Sequence, residues 1–435
     1  MDKSQLKNQI AQAIDSAELT LVDYTQSVLQ EPELGYKEVK TAKKTADLFR
    51  KLGLEVEEGL AITGVKATLK GSGNGPTIAI LGELDAVGCP DHPYANHETG
   101  AAHACGHFLQ LGAMMGAAIG LTNLYKENKL PGDVVFFAVP AEEYVEIAYR
   151  TSLREQGKIH FLGGKQELIY RDAFKDIDIA MMIHSNAFSE EPSIFIGESS
   201  NGFLGKTIQY LGKEAHAAAA PEEGINALNA AMLGLMGINA LRETFRDQDV
   251  IRVHPIITKG GDLVNSVPAD VRMETYVRAK TMDAIESTHK KVDRALVAGG
   301  DAVGAQTIVK TTPGYLPLNC SKELNDIFVE NAKLVNPAVK VYDAGHFSAS
   351  TDMGDLSHII PVIHPFVGGV TGALHGRDFA IVDFGAACLL PAKTMAMNVV
   401  DLLADDGALA NKIKQQFKPL LTREEYIKKL DGYFS

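Results

Sequence analysis

A thiol and two imidazoles fall within five residues, in His103-Ala104-Cys105-Gly106-His107. A thiolate and an imidazole two residues apart suit a divalent cation. The helix expected over Phe108–Tyr125 adds a positive N-terminal end, which favours the thiolate further. A lone Cys or His here would read as a core side chain; three such residues together point to metal.

Further ligand-type residues close apolar runs. TIAILGELD ends in Asp85, DVVFFAVPAEE in Glu142 and Glu143, and DIAMMIH in His184. In open α/β sheets the ligand crevice lies at the carboxyl ends of the strands, so these residues can converge there. Adjacent glutamates alone read as a solvated helix start. After a near-continuous apolar strand they have a sharper use: one carboxylate binds metal while its neighbour takes a proton from the attacking water. His375 lies in the glycine-rich GALHGR loop, where a merely buried histidine is less expected. His184 alone would read as a strand-end residue, and His364, in VIHPF, as structural. His92, His97 and His103 read as loop residues or outer supports of a site. GKEAH, ending in His216, and GGDLVN, ending in Asn265, read by spacing alone as ordinary turns.

The elements that must position these residues follow from hydropathy. Strands are expected over Gly64–Leu69, Thr77–Leu81, Asp133–Val139, Ile179–Ile183 and Val362–Val367. Helices are expected over residues 4–30 and 38–52, and over His107–Tyr125, Lys165–Phe174, Lys322–Val335 and Asp383–Ala404. Continuous apolar strands between helices imply a largely parallel sheet covered on both faces. The middle differs: Gly205–Leu211, Ile225–Phe245, Ile251–Thr258, Val271–Ala279, Met282–Ala298 and Thr307–Thr311 follow a β-α-β-β-α-β order, the ferredoxin-like pattern. The expectation is an α/β protein whose residues 1–199 and 313–435 build the larger domain, with residues 200–312 inserted as a small α+β domain.

Composition narrows the function classes. With 435 residues, two or three domains are expected. The net charge of −13 argues against a nucleic acid or an anionic membrane as partner. Cys89, Cys105, Cys320 and Cys388 form no CxxC pair, which fits reduced thiols in the cytoplasm. The polar amphipathic start shows no signal-peptide pattern. The most apolar stretch, Leu111 to Leu121, is too short for a bilayer span of about 20 residues.

Over nearly its whole length the chain resembles the di-metal aminoacylase and carboxypeptidase family of metallopeptidases. It is most similar to the branch with hippurate, indole-acetyl-amino-acid and aminobenzoyl-glutamate hydrolases and related dipeptidases. The resemblance is carried in order by EPELGYKEVKTAKKTADLFRKLGLEV, GELDAV, GAAHACGH, PAEE, GKEAHAAAAPEEGINALNAA, GGDLVNSVP, STDMGDLSHIIPVIHP and ALHGRDF. It implies two divalent ions per subunit, zinc or manganese, held by a bridging Cys105 with His107, Glu143, His184 and His375. Glu142 matches the general base and Asp85 a supporting aspartate. Where the wider family has His-x-Asp, this chain reads Glu83-Leu84-Asp85, and His107 replaces the missing histidine ligand. The inserted domain matches a lid that dimerises. There His216 matches a histidine that steadies the oxyanion of the neighbouring subunit, Asn265 a substrate-contacting asparagine, and Arg278 a substrate-carboxylate arginine.

The reaction implied is hydrolysis of an amide in a small substrate with a free carboxylate, by a homodimer. N-acyl or N-aroyl amino acids and dipeptides use the same machinery, and the sequence does not separate them. The rival from another class is a metal-binding assembly module without catalysis. Glu142 beside Glu143 argues against it, since a structural centre has no use for a free base.

Overall fold

The strands Ile78–Glu83 and Val134–Val139 are buried along their entire length, and Glu83 is the only charged residue in either. A computed structural model places them side by side and parallel at the centre of a six-stranded sheet. It describes residues 2–127, 130–187 and 189–434. The strand order is Glu55–Leu60, Gly64–Leu69, Val134–Val139, Ile78–Glu83, Ile179–Met181, Val362–Ile363. The first two junctions are antiparallel and the other three parallel. The sheet belongs to the first of two units, Met1–Glu198, Asn319–Gly345 and Asp355–Thr422.

The helix His107–Glu127 packs on the strand Ile78–Glu83 and is buried on nearly every face. Its glycines recur every fourth residue, as a side-chain-free stripe. A Cβ at Gly112 would strike Thr25 and Cys388, at Gly116 Ala392 and Leu21, and at Gly120 Ile14 and Ile10. Those partners come from the helices Lys3–Ser16, Glu18–Leu29 and Leu390–Gln416, which lie close against it, and from the turn that leads into the last of them. The stretch expected as one helix over residues 4–30 breaks at Ala17, whose ψ of 4° leaves the helical range. The long helix after Asp383 opens with a π turn at Gly385–Leu389, and its path breaks at Ala404–Gly407, where Asp405, Asp406 and Gly407 are left-handed. By length and composition Gly385–Gln416 passes for a membrane span, but its most apolar window is mostly buried within the protein.

The second unit is Ser199–Leu318, His346–Gly354 and Arg423–Ser435. Its elements run Gly202–Leu211, Ala227–Leu241, Arg252–Val253 with Ile256–Lys259, Asp270–Ala279, Met282–Asp301 and Gln306–Pro313. This is the β-α-β-β-α-β order, with all strand pairs antiparallel. The strand expected over Ile251–Thr258 is interrupted at His254-Pro255, where proline has no N–H to donate. Alternate residues of Asp270–Ala279 are buried under the two helices, leaving Arg272, Glu274, Tyr276 and Arg278 on the other face.

Candidate metal centre

Each polar group of the first unit's centre is set by backbone that the sheet and its loops fix. Gly106 sits at φ 89°, and a Cβ there would collide with Ser185. Glycine at this point lets Cys105 and His107 flank the helix start. His107 Nδ1 lies 2.8 Å from the Asp85 carbonyl oxygen, which can only accept, so Nδ1 carries a proton. Its Nε2 is 3.1 Å from Glu83 Oε2 and 3.9 Å from Glu142 Oε2. His184 is fixed likewise: Nδ1 donates to the Ser185 carbonyl at 2.8 Å and Nε2 faces Cys105 Sγ at 3.5 Å. His375, at φ 62°, donates its main-chain N–H to Ala104 O at 2.8 Å. Its Nε2 lies 3.3 Å from Cys105 Sγ and 2.9 Å from Glu143 Oε1.

Asp85, Cys105, His107, Glu142, Glu143, His184 and His375 are therefore brought together in one unit. Their ligand atoms fall into groups small enough for a cation: Cys105, His107 and His184; Cys105, Glu143 and His375; and Glu83, His107 and Glu142. Cys105 belongs to two of them. Buried Asp85 Oδ1, His107 Nε2 and Glu143 Oε1 lack a hydrogen-bond partner of acceptable geometry among the described residues, despite the short approaches to Glu83 and His375. Donor atoms that converge without bonding one another fit a divalent cation, and mixed thiolate, imidazole and carboxylate ligands suit its chemistry.

The electrostatics agree. Burial disfavours a charged His107, but Glu83 and the Cys105 thiolate raise its pKa well above the usual imidazole value. Burial likewise opposes charge on His184, and the Cys105 thiolate outweighs it. A proton held this way is one that a bound cation displaces.

The Glu142-Glu143 step is clamped. Ala141, just before it, is left-handed at φ 53°. Its N–H donates to Glu38 Oε1 at 2.8 Å, and its carbonyl accepts from Arg150 Nη1 at 3.1 Å and Gly164 N at 3.1 Å. The buried Arg150 also donates to the carbonyls of Leu162 and Glu143. Glu143 N–H donates to Asp85 Oδ2 at 2.9 Å. Glu38 is fully buried, and burial together with Asp85 pushes its pKa up to about 7.

Sequence reasoning missed Glu38, Arg150, Gln110 and Lys165. Gln110 bridges the main-chain N–H and the side chain of Glu83, and Lys165 Nζ pairs with Glu83 Oε1. The one available signal was Glu83 itself, a charge inside an apolar run that demands a buried partner. His364, read as structural, is buried with its ring 5.7 Å from that of His184.

His216, Asn265 and Arg278 lie in the second unit. Ala217 N–H donates to the Asn265 carbonyl at 3.0 Å and His216 bridges to Ser266, so His216 and Asn265 are neighbours on exposed loops. His216 Nδ1 accepts from the N–H groups of Ala218 and Ala219 at 3.3 and 3.1 Å. Arg278 lies elsewhere, on the open sheet face, with its guanidinium 5.3 Å from the Tyr276 ring and 5.6 Å from the Phe203 ring.

A thiol, imidazole and carboxylate cluster at the carboxyl ends of a parallel sheet, with a second carboxylate beside it, defines a metal-dependent amide hydrolase. The chain belongs to peptidase family M20/M25/M40, whose model matches residues 79–383. It is 28% identical to the Xaa-Arg dipeptidase of Mus musculus over 97% of this chain and 94% of that protein. It is 25% identical to one of the subunits of p-aminobenzoyl-glutamate hydrolase from Escherichia coli, over 96% of each. Among solved structures, a dinuclear metal-binding peptidase of the M20 family from Bacillus subtilis superimposes with a TM-score of 0.66, at 21% identity, over 89% of this chain and 99% of that one.

Proposed function

We propose that the protein is a homodimeric, cytoplasmic hydrolase of dipeptides or N-acyl amino acids, using two divalent ions, zinc or manganese, per subunit. The observation that carries this reading is Cys105, shared by two ligand groups, with Glu142 alongside. Cys105, His107, Glu143, His184 and His375 would hold the ions, and Asp85 orients His107 and the Glu143 backbone. When bound, such ions acidify the attacking water and polarise the amide carbonyl.

Glu142 accepts the water's proton and passes it to the leaving amine. His216 has Nδ1 occupied by two backbone donors, so its neutral ring carries the proton on Nε2, the form that donates to an oxyanion. In this reading His216 serves the neighbouring subunit, Asn265 contacts substrate and Arg278 takes the substrate carboxylate. Support for the dimer comes from exposed Met232, Leu233 and Met236 on one helix and exposed Ile256 and Ile257 on a strand of the second unit. Support for dipeptides comes from the name of the mouse relative, Xaa-Arg dipeptidase. Support for the cytoplasm comes from four free cysteines.

The test is to strip metal, reload with zinc or manganese, and screen dipeptides and N-acyl amino acids for amine release. Release that depends on the metal and is lost in Glu142→Gln is expected. No release with any metal overturns the reading.

A further inference from the structure

On the open face of the second unit's sheet, Arg252 and Arg278 stand directly opposite each other on neighbouring strands. Like charges in that register repel, and an anion set between them relieves the repulsion. Both line a cavity of about 530 Å³, with His254, Ile256, Tyr276 and Glu274. That volume suits a small ligand.

Glu274 stands four residues from Arg278 on the same strand, roughly 13 Å away along it. Glu274 is half-buried, and its carboxylate has neither a hydrogen bond nor an ion pair among the described residues. Burial raises its pKa, and no neighbouring cation offsets this. Arg272, the adjacent cation on this face, is already taken by Asp270 at 2.9 Å. The cavity thus has two guanidinium groups side by side at one end and an uncompensated carboxylate at the other. Desolvating that carboxylate without a partner costs free energy, and charge complementarity at both ends points to one ligand with a carboxylate and a cation.

We propose that this cavity selects the leaving amino acid by a basic side chain, its α-carboxylate set between Arg252 and Arg278 and its guanidinium or ammonium group at Glu274. The inference rests on the hydrolase reading, which makes an amino acid one of the products. It names the substrate class: amides whose carboxylate-bearing half is arginine- or lysine-like. Tyr276 and Phe203 hold the Arg278 guanidinium in place, and Ile256 faces the aliphatic stem.

The test uses the full chain stripped of metal, so that turnover plays no part. Binding of L-arginine and of L-citrulline, its neutral isostere, is measured by calorimetry on wild type, Glu274→Gln and Arg278→Met. L-Arginine is expected to bind wild type at least about tenfold more tightly than citrulline. Glu274→Gln should erase that preference, and Arg278→Met should weaken both ligands. Equal binding of the two by wild type, no binding of arginine, or a preference that survives Glu274→Gln each overturns the proposal. Failure to cleave any amide after metal reloading, with the arginine preference intact, would instead sink the hydrolase reading alone.

Discussion

Lys165 Nζ lies 2.7 Å from Glu83 Oε1, and neither side chain has any exposure to solvent. Removing the ammonium strands a carboxylate in the core, so Lys165→Met should cost ~3–5 kcal/mol. Urea unfolding of the metal-depleted protein measures it. A loss under about 1 kcal/mol would mean that Glu83 is neutral or otherwise compensated. Glu83→Gln added to Lys165→Met should recover part of the loss.

The same pair sets a pH dependence. Burial opposes ionisation of Glu83, but Lys165, with His107 and His184, holds its carboxyl well below the usual carboxylate range. A group whose folded pKa is depressed stabilises the fold above its unfolded pKa of about 4.3, and that contribution is lost as pH falls below it. Unfolding midpoints between about pH 3 and 6 should therefore fall less steeply towards acid in Glu83→Gln than in wild type. Parallel curves would contradict an ionised Glu83.

Glu142 is assigned the proton, not the metal. Glutamine there keeps the shape without the basicity, so turnover should drop by ~10²–10⁴. Metal content, measured by atomic emission, should be preserved. Loss of metal in Glu142→Gln would move the residue into the ligand set.

Cys105 is the reactive thiol. Burial and the Glu143 carboxylate push its pKa up, but His184 and His107 outweigh them and bring it to about 6. Burial pushes the Cys320 and Cys388 thiols up, Cys320 to about 12. At about pH 7 iodoacetamide should label Cys105 first in metal-depleted protein, and added zinc should protect it. Cys105→Ala should lose metal and hydrolysis, while alanine at Cys89, Cys320 or Cys388 leaves both. Full metal occupancy in Cys105→Ala would end the bridging assignment.

The partner-subunit role of His216 predicts complementation. Mixing inactive His216→Ala and Glu142→Gln subunits gives half mixed dimers, each with one intact site, and should restore about a quarter of wild-type activity if sites act independently. No recovery after confirmed subunit exchange rejects the in-trans role.

The parts of the fold legible in the sequence are those whose burial imposes a period. The helix at His107 and the strands around Ile80 and Phe136 are apolar throughout, and the two-helix pattern of the second unit alternates cleanly. The strands Glu55–Leu60 and Lys340–Phe347 went unread because they are largely exposed and polar. The ligand-type residues of the centre were legible because cysteine, histidine and paired glutamates cluster where strands end. Their supports were not: Lys165 reaches Glu83 across 82 positions and Glu38 reaches Ala141 across 103, and nothing local marks such pairings.

The glycine stripe Gly112, Gly116 and Gly120 ties the placement of Cys105 and His107 to chain segments far from them. The helix that begins at His107 is seated between residues near the start of the chain, Ile10, Ile14, Leu21 and Thr25, and residues near its end, Cys388 and Ala392. Its N-terminal tip is where the thiol and imidazole sit, so a sideways displacement of the rod by one methyl group is delivered to the ligands as a misalignment. Damage in either terminal region, remote in sequence from every ligand, would therefore surface as a weakened grip on metal before it surfaced as unfolding. Screens for loss of cation affinity should recover lesions there that no inspection of the ligand sphere would nominate.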